Sequence, residues 1–407
     1  MCRHEDAHSA FPSSFAPSRV QAPFSLLHTR PERSRRPVCS VLSCQPSTYP
    51  FFSFSLTSVY LLLSTLLLSC TSPTPPLPPP PGPDTTSHDF IWHIDTLGDG
   101  NSSVLYDVAI INDTTIWAVG EIYVRDSSGQ IDPSAYGISK WDGRTWKYER
   151  LSAIAPQGYI SNLWPRAVFA LSKDEIWFAA GGVHRVKYGT LTSYWINSFP
   201  GNPAPIWTEG QFAQRLWGSS STNLYVVGTQ GAIAHFNGTT WQRIESGTSI
   251  TFTDISGTNP ISGGLSATLV VGSDFISHSG NRVLSLSADA VTDTLGWPMN
   301  IVPAGVWIDP SGMVYVSGHG LWRYENGAWH EELTVTLLNR VRGTNRNNIF
   351  TAGSYCTVAQ FNGASWKSYQ ELWRPDGVLR GLAVTDRMVV AVGDAGGKVI
   401  AIRGNRP

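Results

Sequence analysis

Arg215 to Ile244 reads RLWGSSSTNLYVVGTQGAIAHFNGTTWQRI, and its punctuation decides the fold. A short apolar run gives way to Ser and Thr. A second run closes on Gly228 and a third ends at Phe236. Asn237-Gly238 follows, then a run holding Trp241. Four short strands of alternating character, parted by small and polar residues, make an antiparallel meander. Asn-Gly between apolar runs is a hairpin signal. A two-residue turn of that type needs positive φ at both positions, and this is expected at Asn237-Gly238.

The same order recurs. Asp107 to Lys147 carries it with a long insert, and Gly305 to His330 and Arg340 to Lys367 carry it without one. Weaker copies start at Arg166 and Asp254, and a last one at Arg380 stops after three strands. The second strand of each copy closes on a glycine: Gly120, Gly181, Gly228, Gly272, Gly318, Gly353 and Gly393, at spacings of 35 to 61 residues. A period of roughly 40–50 residues with four strands per unit is that of a propeller blade. The expectation is an all-β, seven-bladed β-propeller over residues 88–407. Phe90 to Ile94 supplies the fourth strand that the last copy lacks, so both chain ends share one blade and no edge is left open. Trp146, Trp241, Trp329 and Trp366 recur in the fourth strand, and Trp117, Trp177, Tyr225 and Tyr315 in the second. Large rings in register are expected to fill the space between sheets.

The pattern D/N-x-I/L-Y/W-x-V-G, then G-x-I, then F/Y-N/D-G-x-x-W resembles that of exported bacterial β-propeller lipoproteins, over essentially all of residues 88–407. The resemblance implies a fold and an address rather than an activity. The Asp-box of sialidases and the Gly-His and Trp-Asp signature of WD40 repeats are missing. A glycosyltransferase would be expected to show a nucleotide-binding α/β pattern or an Asp-x-Asp motif, and neither occurs.

The first 87 residues carry the address. Residues 51–69, FFSFSLTSVYLLLSTLLLS, are uncharged and follow Arg30, Arg33, Arg35 and Arg36. Leu67-Leu68-Ser69-Cys70 resembles the bacterial lipobox, with Cys70 as the lipidated residue. A Pro-rich spacer, which cannot pack a core, follows. The expected organisation is a leader with signal peptide over 1–69, a lipidated Cys and linker over 70–87, and the propeller over 88–407. A leader of this length exceeds a bacterial signal of roughly 15–30 residues. The start is therefore expected to be overextended, although the next methionine is Met299. The implied location is the cell envelope, as an outer-membrane lipoprotein that touches the membrane only through its anchor.

Composition narrows the partners. The chain has 29 basic and 30 acidic residues in 407, and 14% charged residues against roughly 25% in an average domain. The leader holds 6 of the basic and 3 of the acidic residues, leaving 23 against 27. This balance excludes an electrostatic nucleic-acid binder. Cys356 is the one cysteine of residues 88–407, so no internal disulfide or Cys-based zinc site can form there. No His pair has metal spacing, no nucleophile elbow and no phosphate loop appears, and no cofactor or metal is expected.

The alignment brings Asp107, Arg166, Arg215, Asp254, Gly305, Arg340 and Arg380 to the opening of each innermost strand. Four Arg and two Asp would ring one mouth of the channel. Arg offers a planar fork for carboxylates and other anions, while Arg against Asp could instead form a self-neutralising plug. Loops on the same face offer a weaker rim. Tyr123 and Arg125 lie in the insert Glu121–Ala135, His184 and Tyr188 in the stretch Gly182–Ser193, and Trp373 and Arg374 in the join after Ser368. The leading expectation is a monomeric binding or scaffolding module for a protein segment or a glycan. The alternative is a glycoside hydrolase or lyase, which would need Asp107 and Asp254 to face each other across a pocket.

Overall fold

The computed structural model describes residues 85–98, 103–258, 268–274, 277, 279–287, 290–298 and 300–407. Cys70, the apolar segment 51–69 and most of the Pro-rich spacer lie outside them. Strand β1 (Ile91–Thr96) comes first. β2 (Val104–Asn112), β3 (Thr115–Ile122), β4 (Tyr136–Trp141) and β5 (Trp146–Glu149) form one sheet in that order. β6 (Leu151–Ile154) and β7 (Ile160–Leu163) pair only with each other. β8 (Ala167–Ser172), β9 (Glu175–Ala179), β10 (Val183–Lys187) and β11 (Thr190–Tyr194) make the next sheet. β12 (Ala213–Ser220), β13 (Asn223–Gly228), β14 (Ile233–Phe236) and β15 (Trp241–Ile244) follow, then β16 (Thr251–Gly257), β17 (Thr268–Asp274), β18 (Ser279–Leu286) and β19 (Val291–Leu295). β20 (Gly305–Ile308), β21 (Val314–Glu325), β22 (Ala328–Asn345), β23 (Asn348–Gly353), β24 (Val358–Phe361) and β25 (Trp366–Ser368) form a single six-stranded sheet. A 3-10 turn at Gln370–Leu372 precedes β26 (Val378–Val384), β27 (Met388–Ala395) and β28 (Lys398–Asn405). β1 pairs antiparallel with β28, Trp92 opposite Gly404, so the beginning of the described chain completes the sheet that holds its end.

The fold is an all-β propeller, but the expected count of seven blades is corrected. Five sheets have four strands and stand as separate blades. The repeats at Gly305 and Arg340 do not separate, because β22 runs unbroken for 18 residues. Its start pairs with β21 and its end with β23, which joins the two repeats into one sheet.

The core lies between sheets. Trp177 of β9 is fully buried and packs on Phe236 and Trp241 of the next sheet at ring separations of 5.5 and 6.2 Å. Trp117 stacks on Phe178 across another such boundary at 5.8 Å. The recurrent rings are thus packing residues, and removing one fully buried ring of this size costs about 3–5 kcal/mol.

The recurrent glycines have a steric cause. At Gly120, Gly228, Gly272, Gly318 and Gly393 a Cβ would run into a backbone carbonyl at or just before the start of the neighbouring inner strand, and at Gly353 into the Leu337 carbonyl within β22. Gly181 departs from this: it has φ +65° and open space around it. The turn after β14 also departs from expectation. It is a four-residue loop, with Gly238 at φ +97°, and the Asn237 side chain accepts from the amides of Thr239 and Thr240. Two-residue turns with positive φ at both positions occur instead at Tyr188-Gly189 (φ +48° and +76°), Asn326-Gly327 (φ +53° and +80°) and Gly396-Gly397 (φ +61° and +69°).

Candidate functional site

The inner strands hold the charged ring through a bulge. In β2, β12, β16 and β22 the register skips one residue, at Tyr106, Gln214, Thr253 and Asn339. The residue after the skip is Asp107, Arg215, Asp254 or Arg340, so these four share one level. In β26 the skip falls on Arg380 itself, which puts Gly381 at that level. A Cβ on Gly381 would press on the Asp107 backbone at 2.7 Å, which explains a glycine where β26 approaches β2. Arg166 precedes β8, is exposed, and lies over the Tyr106 ring at 4.7 Å.

Two cavities open along the axis. The one toward the strand ends, about 280 Å³, is lined by Asp107, Arg215, Arg342, Trp217 and Trp307 among others. The one toward the strand starts, about 290 Å³, is lined by Gln214, Arg215, Asn339, Arg340, Val378 and Arg380 among others. Arg215 contributes to both.

At the strand-end mouth the charges are answered. Asp254 is fully buried and takes a bidentate pair from Arg342, both contacts at 2.8 Å, and a hydrogen bond from the Val306 amide at 3.0 Å. Burial pulls the Arg342 pKa down. Asp254, by charge and hydrogen bond, and Asp107, by charge, more than offset this and hold it above its usual value. Burial raises the Asp107 pKa against the opposing pull of Arg215 and Arg342. The Asp107 carboxylate accepts from the Val168 amide of the next sheet at 3.3 Å. Asp254 lines neither cavity, so Asp107 and Asp254 do not present two carboxylates to one space.

At the strand-start mouth the charges are not all answered. Arg380 pairs with Asp394, and burial lowers its pKa. Arg215 donates to the carbonyls of Arg166 and Gln214 at 2.8 and 2.7 Å, stitching its strand to the preceding sheet. Burial lowers its pKa against the attraction of Asp107 and Asp254. Arg340 is 5% exposed and donates to the carbonyls of Ala304 and Asn339 at 3.2 and 2.6 Å. Among the described residues it has no ion-pair partner. Its Nε and that of Arg215 are buried without a hydrogen bond.

The rim residues separate. Tyr123 lies at the strand-start end, where its amide donates to the hydroxyl of Ser103, just before β2, and its hydroxyl donates to Glu121. Arg125 is in the same loop and donates to the Gly129 carbonyl. Gly182–Ser193, expected as a loop, is mostly β10 and β11, because Tyr188-Gly189, both at positive φ, turn the chain. His184 is therefore a core residue. Its ring contacts Ser193 Oγ and the Ala180 carbonyl, and burial takes its pKa down to about 4. Tyr188 sits at the opposite end of its sheet, its amide bonded to Asp174 of the β8–β9 turn. Trp373 is 48% exposed and stacks on Tyr355, a residue that sequence reasoning missed. Arg374 donates through its amide to the Tyr355 carbonyl, fixing that pair. Tyr355 and Cys356 both adopt left-handed backbone (φ +61° and +52°), which no side-chain pattern announces.

No family profile and no curated protein matches the sequence. Solved structures match in fold. The chain is similar to YCF48 bound to D1 peptide, with a TM-score of 0.56 and 13% identity over 81% of this chain and 100% of that one. It is also similar to the WD40 β-propeller domain of Doa1, with a TM-score of 0.51 and 11% identity over 78% of this chain and 98% of that one. These likenesses establish the β-propeller class.

Proposed function

We propose that this chain is a lipid-anchored, monomeric cell-envelope protein whose propeller binds a protein segment at the strand-start face. The organisation proposed is a leader over 1–69, a lipidated Cys70 with its linker over 70–87, and the propeller over 88–407. One observation carries the binding function: a cavity of about 290 Å³ lined by two buried arginines, each with an unpartnered Nε. Buried polar groups are ordinarily satisfied, and those left open at a cavity are ready for a ligand. Exposed aromatic side chains beside the mouth, Trp373 and Tyr355, are of the type that anchors protein contacts. The fold neighbour YCF48 is a propeller solved with a peptide bound, which favours a protein segment over a glycan.

The test is a parallel selection on the full chain in detergent, with a random displayed-peptide library and a glycan array. Enrichment of peptides that compete with one another supports the reading. Glycan binding without any peptide overturns it. The anchor is tested separately, because palmitate labelling should vanish in Cys70→Ala.

A further inference from the structure

Three cavities adjoin across the strand-start face. The central one holds Arg215, Arg340 and Arg380. On one side it shares Gln214 with a cavity of about 330 Å³ lined by Trp164, Arg166 and Phe212. On the other side it shares Val378 with a cavity of about 450 Å³ lined by His319, Tyr355 and Pro375. Tyr355 lines a fourth space too, with Trp373 and Val335. The flanks are rich in exposed rings: Trp164 is 46%, Phe212 53%, Tyr355 41% and Trp373 48% exposed. The centre is cationic.

The charge at the centre can be apportioned. Arg342 belongs to Asp254 and Arg380 to Asp394. Arg340 and Arg215 are both met only by carbonyls, and each keeps a buried Nε without a hydrogen bond. Two guanidiniums without an ion-pair partner among the described residues, sunk between two ring-lined hollows, are a specific demand. A buried charge without a counter-charge is costly, and a guest carboxylate would relieve that cost with the fork geometry that arginine favours.

We infer that the strand-start face recognises an extended peptide segment in which a single acidic residue is flanked on both sides by apolar or aromatic residues, the acid reaching Arg340 and Arg215. This rests on the protein-segment reading and gives it a chemistry. One carboxylate, with two oxygens, can accept from both guanidiniums at once. The rings on either side suit apolar side chains better than a sugar acid, whose charge and hydroxyls come together on one ring.

The peptides selected from the random library supply the test. The expected consensus is one Asp or Glu between apolar positions. A consensus peptide with Gln in place of its acid should bind the full chain roughly tenfold or more weakly. Arg340→Met should show most of that loss with an unchanged or higher melting temperature, and the Gln exchange should cost clearly less on that variant than on the wild type. Trp373→Ala should weaken binding several-fold without altering the preference for the acid. Selected peptides without an acid, or an acid preference undiminished in Arg340→Met, would overturn this inference while leaving a peptide-binding propeller intact. No selected peptides together with binding of an acidic glycan would overturn both.

Discussion

The two mouths of the channel are built from the same strands and reach opposite electrostatic solutions. At the strand ends, Asp254 and Arg342, 88 residues apart, close a bidentate pair between two consecutive sheets, with the Val306 amide taking a further lone pair. At the strand starts, Arg340 spends its donors on carbonyls and keeps Nε free. The first arrangement is complete in itself and ties sheets together. The second lacks one partner, and a site that lacks a partner can recognise one. Two residues along the same strand, Arg340 and Arg342, thus divide structure from recognition.

Asp254→Ala should break this contrast most severely. It leaves Arg342, whose side chain is 24% exposed, without its paired carboxylate and the buried Val306 amide without its acceptor, and loss of about 3–4 kcal/mol is expected in denaturant unfolding. An equally stable variant would mean that the pair holds nothing together.

His184 gives the next effect, and its sign follows from its pKa of about 4. The folded protein keeps the ring neutral, while the unfolded chain takes up a proton near pH 6.5. Stability should therefore be whole above pH 6.5 and decline as pH falls toward 4, by up to about 3 kcal/mol. Comparing unfolding of the wild type with His184→Gln across that window isolates the effect. A variant with the same slope would remove His184 from the core.

Gly228→Ala should cost about 1–3 kcal/mol, because its Cβ would fall on the Phe212 carbonyl. Gly181→Ala meets no atom but must hold φ +65°, and about 1–2 kcal/mol is expected. Thermal melts of the two variants compare a contact cost with a backbone cost.

Arg340→Met should have the smallest effect on stability, near zero or favourable by up to about 1 kcal/mol, since it removes an unmatched buried charge. A large destabilisation would show that its carbonyl contacts, not an absent guest, account for Arg340.

Much of this was legible in the residues. The glycines closing the second strand recur because a backbone carbonyl occupies the space of a Cβ, and the rings recur because they fill the gaps between sheets. Both causes act within a repeat or between adjacent repeats, so they leave a periodic trace. What escaped is long-range or conformational. The Asp254–Arg342 pair spans 88 residues and follows no period. The blade count failed where β22 carries pairing from one repeat into the next without a break. His184 was misplaced because a short alternating run next to a Tyr-Gly turn resembles loop sequence. Tyr355 was overlooked because its exposure depends on a left-handed backbone and on Trp373, which meets it from the join beyond β25.

Calorimetric titration of one acidic consensus peptide into the full-length wild type and Arg340→Met, at equal salt, addresses the central claim most directly. Roughly tenfold or greater weakening in the variant, with both proteins melting at the same temperature or the variant higher, is the predicted result. Equal affinity for the two proteins would contradict it.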